Sequence, residues 1–75
     1  MRMFEIAWEC RSGTHRATAV VDLFGILVHI NPDEYDEWCG DPFRGLLLYI
    51  LEQHKPAQFY VTELQIENGR AVPVG

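Results

Sequence analysis

The chain has 75 residues, is 48% hydrophobic, and carries 11 acids against six bases for a formal charge of −5. That length supports one domain, spanning residues 1–75, near the lower limit for folding on a single core. Four Phe, three Tyr and two Trp give enough apolar bulk to exclude a disordered chain. An enzyme pocket of ordinary volume would consume much of so small a core, so the expectation is a non-enzymatic binding module.

No stretch approaches the roughly 18 apolar residues that span a bilayer. The opening Met1-Arg2-Met3-Phe4-Glu5 reaches a glutamate too soon for a signal peptide, so the expected compartment is the cytoplasm. Cys10 and Cys39 fit no metal or redox spacing, and two buried, reduced thiols are expected. A Cys10–Cys39 disulfide is the alternative in an oxidising compartment.

In chain order, residues 3–10 alternate: Phe4, Ile6, Trp8 and Cys10 point one way, Met3, Glu5, Ala7 and Glu9 the other. That is a half-buried strand. Arg11-Ser12-Gly13-Thr14 supplies turn chemistry, and His15 to Asp22, rich in Thr, Val and Ala, reads as the return strand of a hairpin. Asp22-Leu23-Phe24-Gly25 carries Asp and Gly at the first and fourth positions of a type I turn. The run Ile26-Leu27-Val28-His29-Ile30 is apolar on both faces apart from His29, which predicts a central strand covered on both sides, with His29 in or beside the core. A rival reading fuses residues 17–30 into one buried helix, against the β-branched content and Gly25.

Helix signals begin at Asn31, a candidate cap, with Pro32 at the first helical position and Glu34 completing a box-like start. Gly40 closes this short helix. Asp41-Pro42 repeats the cap-and-proline start for a second helix running to about Lys55, where Pro56 enforces a stop. On it Phe43, Leu46, Leu47, Ile50, Leu51 and His54 share one face. The tail from Gln58 to Val74 is a second hairpin: Asn68-Gly69 tolerates the two positive φ angles of a type I′ turn, and Pro73 puts the last strand at an edge. The predicted fold class is α+β, a small antiparallel sheet in the order β-β-β-α-α-β-β with two helices packed on one face.

The negative charge is local. Asp33, Glu34, Asp36, Glu37 and Asp41 account for all of the net −5, with no Lys or Arg from Asn31 to Phe43. At helical spacing, Tyr35, Trp38 and Cys39 gather on one side while Asp33, Asp36 and Glu37 fan out on the other, with Glu34 at the flank. Acids in a first helical turn complement the helix dipole and Asp41 suits a cap, which accounts for Asp33, Glu34 and Asp41 but poorly for Asp36 and Glu37. The block therefore reads either as a merely solvated face or as a contact surface for a basic partner. The run does not match the alternating ligands and central glycine of an EF-hand loop, and no metal or other cofactor is expected.

His15, His29 and His54 lack the spacing of a metal pair, and His54 suits a helix C-terminus. A nucleophile with its base would have to assemble from Cys10 or Cys39 and a histidine, and nothing local points to it. Glycine-rich phosphate loops are absent. Six dispersed bases in an acidic chain disfavour direct nucleic-acid binding. Leu48 lies far from the second helix's buried face, beside Arg44 and Glu52, and reads either as an ordinary exposed leucine or, with Tyr49 on another flank, as an anchor for a partner or a dimer contact.

Two functions are expected as alternatives. In the first, Asp33, Glu34, Asp36, Glu37 and Asp41 supply charge, and Tyr35, Arg44, Leu48, Tyr49 and Glu52 flanking contacts, for occluding the basic surface of a nucleic-acid-binding protein. In size and charge the chain resembles small acidic inhibitors of phages and mobile elements, anti-CRISPR proteins among them; that likeness is compositional. In the second, a sheet edge and Leu48 form a symmetric homodimer or assembly contact, and the acids serve solubility.

Overall fold

The computed structural model describes all residues from Met1 to Gly75. Five strands, β1 (Arg2–Cys10), β2 (Gly13–Val21), β3 (Leu27–Asn31), β4 (Gln58–Glu67) and β5 (Arg70–Pro73), form one antiparallel sheet in the order β3-β2-β1-β4-β5. A 3-10 helix (Asp33–Trp38) and one α-helix, α1 (Phe43–His54), lie between β3 and β4. The fold is α+β and largely sheet. No helix is long and apolar enough to cross a membrane.

The alternation in β1 does what its pattern demands. Ile6 and Trp8 are buried and Phe4 and Cys10 pack beside them, opposite Ala17, Ala19 and Val21 of β2. Leu27 and Ile30 extend that layer, and Phe43, Leu46 and Ile50 of α1 close it. Phe4 stacks on Phe43 with centroids 5.1 Å apart, tying the start of α1 to β1. Both turn readings hold. Asn68 and Gly69 take φ of 52° and 75°, and Asp22 accepts from the Phe24 and Ile26 amides at 2.8 and 3.0 Å through its carboxylate.

Several expectations need correction. β3 is an edge strand rather than a central one, because β2 leaves it for β1 and only one sheet face is covered. His29 and Val28 are accordingly exposed; a register shift between Val20 and Val21 puts Val28 opposite no partner. Neither proline-led start uses its polar cap. Asn31 is the last residue of β3, paired with Thr18, so its backbone is extended and Pro32 stands at the N-cap. Asp41 spends its backbone on β3 and Trp38, and α1 begins after Pro42 without a side-chain cap. Leu51 is exposed rather than on the core face, where Phe43, Leu46 and Ile50 of the same helix are buried. The two cysteines are free and half-buried, not buried.

Candidate functional site

A 3-10 helix has three residues per turn, so residues three apart eclipse. Asp33 and Asp36 form one row, Glu34 and Glu37 a second, and Tyr35 and Trp38 a third. The aromatic row faces the body. Tyr35 is buried with its ring edge-on to Trp8 at 6.4 Å, and Trp38 lies 5.1 Å from the Tyr49 ring. Trp38 also lies over Gly45, where an added Cβ would sit 3.3 Å from its Cζ3. Gly45 is the third residue of α1, and its missing side chain makes room for the indole.

The other two rows face water. Asp33, Glu34, Asp36, Glu37 and Asp41 are all exposed. The molecule has two ion pairs, Arg2–Glu63 at 2.8 Å and Arg16–Glu5 at 3.8 Å, and neither involves this segment. Arg44, the first base after it, is exposed and pairs with none of the five. Backbone bonds clamp the segment's end to β3: Gly40 donates to Leu27 at 2.9 Å, and the Leu27 amide donates to Asp41 at 2.9 Å. The anionic surface is thus held on a fixed scaffold. Burial pushes the Tyr35 hydroxyl above its ordinary value of 10.0, assisted by the charge of Glu34 and by Tyr49.

The flanking residues divide. Arg44, Leu48 and Glu52 form an exposed row along α1, with Leu48 56% exposed. Tyr49 is half-buried under Trp38, and Tyr35 is a core residue. Tyr35 therefore cannot serve as the surface anchor expected of it, because the 3-10 geometry sets it in the same row as Trp38.

Two groupings escaped sequence reasoning. The Asp22 turn projects Leu23 and Phe24 at 85% and 89% exposure. The Phe43 amide donates to Gly25 at 2.9 Å, which places that tip beside the end of the acidic segment. Their apolarity within a polar turn was the available signal. At the β1–β2 turn, Cys10 Sγ lies 3.0 Å from Ser12 Oγ, which lies 2.8 Å from His15 Nε2. The ring of His15 stacks on Trp8 at 5.5 Å and lies 6.0 Å from that of His54. The signal for this grouping was the hairpin itself, whose register sets Trp8 opposite His15 with Cys10 on the same face. No three His, Cys, Asp or Glu side chains converge as a metal site would require. Comparison with known proteins finds no matching family model, no similar curated protein and no similar solved structure.

Proposed function

We propose that the protein is a non-enzymatic acidic binding protein that occludes a basic, nucleic-acid-binding surface of a partner protein. The observation that carries this reading is the combination of five exposed, unpaired carboxylates with an aromatic row that fixes their backbone. Like charges packed this closely repel one another, a cost that a cationic partner relieves. Carboxylates on a fixed backbone lose little main-chain freedom on binding, so more of the attraction survives as affinity. The function would be steric and electrostatic, of the kind exerted by phage-encoded inhibitors such as anti-CRISPR proteins. Leu48 and Phe24 are the exposed apolar side chains suited to anchor such a contact.

The test is capture from host lysate at low and high salt, with the wild type beside an Asp36→Lys/Glu37→Lys variant. A cationic partner retained by the wild type at low salt, and lost both at high salt and by the variant, is the expected result. Equal capture by both proteins overturns the reading.

A second reading, self-association, is favoured by one observation. A cleft of about 510 Å³ at the sheet edge gathers Met1, Met3, Val20, Leu64, Ile66 and Val74, bordered by the Arg2–Glu63 pair and Gln65. Sedimentation across a concentration series separates the two: a salt-insensitive dimer supports assembly, and a monomer supports occlusion.

A further inference from the structure

Cys10, Ser12 and His15 come together at the β1–β2 turn without sharing a residue with the acidic segment. The same corner holds a cleft of about 530 Å³ lined by Cys10, Arg11, Ser12, Gln53, His54 and Lys55. Two of the chain's six bases, Arg11 and Lys55, therefore border one thiol, with Glu9 beside them in the adjoining cleft. We propose that Cys10 is a site of reversible S-thiolation by small anionic disulfides of the glutathione class, with Ser12 and His15 as its proton relay.

The chemistry follows the geometry. With His15 protonated on Nδ1, the Ser12 hydroxyl donates to Nε2 over 2.8 Å and accepts from the thiol over 3.0 Å. As Cys10 Sγ attacks one sulfur of the incoming disulfide, its proton passes to Ser12 while the Ser12 proton passes to His15. The new Cys10–S bond forms as the original S–S bond breaks. The departing thiolate regains a proton from the His15 imidazolium by the same path. Cys10 is oxidised and the incoming disulfide is reduced, so no other oxidant is required. Arg11 and Lys55 suit the carboxylates of the incoming molecule, and stacking on Trp8 fixes the orientation of the His15 ring. Cys39 is equally half-buried but has no side-chain hydrogen bond, which makes it an internal control.

The experiment treats the reduced, full-length protein with glutathione disulfide at neutral pH and follows each cysteine by peptide mass spectrometry. Cys10 is expected to react about tenfold faster than Cys39. Ser12→Ala and His15→Gln should each remove most of that lead and leave the Cys39 rate unchanged. Ser12 is exposed, so its variant keeps the fold if His15→Gln disturbs the packing on Trp8. Arg11→Gln/Lys55→Gln should slow glutathione disulfide and spare the neutral hydroxyethyl disulfide. Equal rates at the two cysteines, or a lead that survives both relay variants, overturns the site. Equal slowing of both disulfides overturns the anionic preference. The Asp36→Lys/Glu37→Lys variant should keep the Cys10 lead, so this site and the acidic surface stand or fall separately.

Discussion

The sheet has two halves that are held in different ways. All eleven buried residues lie between Ile6 and Ile50, in β1, β2, β3, the 3-10 helix and α1, whereas the β4–β5 hairpin contributes none. Yet β4 pairs with β1 from Met3↔Leu64 to Glu9↔Gln58, almost as far as β2 does from the other side. A ladder can thus position a strand with no fully buried side chain, Phe59 being the one residue of the hairpin that packs against the core. The difference is one of energy. A net backbone hydrogen bond contributes about 0.5–1.5 kcal/mol, whereas a fully buried Leu or Ile side chain contributes about 1.5–3 kcal/mol. The first half carries most of the stability, and the second is the place for local opening.

The sharpest way to break this contrast is by truncation on each side. Leu46→Ala or Ile50→Ala should cost about 2–5 kcal/mol, enough to unfold a domain of this size. Ile66→Ala, at a residue 63% exposed, should stay within about 0.5 kcal/mol in urea denaturation. A large cost at Ile66 that grows with protein concentration would instead mark the hairpin as an association surface.

Gly45→Val tests whether the acidic segment belongs to the body. A branched side chain there must push Trp38 aside, at about 1–3 kcal/mol, and should shift tryptophan fluorescence toward that of exposed indole. The indole Nε1 of Trp38 is itself buried without a hydrogen-bond partner, a penalty of about 1–3 kcal/mol. Trp38→Phe removes that penalty along with some packing, so it should cost less than Trp38→Ala in the same denaturation assay.

A titration probes the same boundary. Tyr35 ionises above its ordinary 10.0 in the folded protein, so folding favours the neutral phenol. Its contribution is fully present below pH 10 and is lost as pH rises through the folded value. Tyr35→Phe should flatten the alkaline fall in stability, read by denaturation at stepped pH. The smallest effect belongs to the hairpin. A bidentate hydrogen-bonded pair with Arg2 holds the Glu63 carboxyl below its ordinary 4.5, so its contribution fades as pH falls below that value. Both side chains are partly exposed, and Arg2→Met should lower stability slightly above pH 4.5 at low salt and leave it unchanged in acid, where Glu63 is already protonated.

Local rules read much of the fold correctly. Alternation placed β1, and the Asn68-Gly69 and Asp22 turns came from backbone chemistry confined to four residues. Pro73 marked an edge because it lacks an amide to donate, and it does lie in the outermost strand. The errors share one cause. Asn31 and Asp41 have cap chemistry, but long-range partners claimed their backbones: Thr18 pairs with Asn31, and the Leu27 amide donates to Asp41. The apolar run at 26–30 suggested a strand covered on both faces, and nothing local could say that β3 would end at the rim.

The sequence alone determined the strands and turns, the α+β class and the concentration of charge between Asp33 and Asp41, since each depends on neighbours within a few positions. Tertiary structure decided the rest: which strand is central, which way Tyr35 turns, that Trp38 rests on Gly45, and that His15 meets Ser12 beside the Cys10 thiol. Those outcomes depend on pairing register and on which face α1 covers. Both are settled by burying one continuous apolar layer, a property of the whole chain that no short window contains.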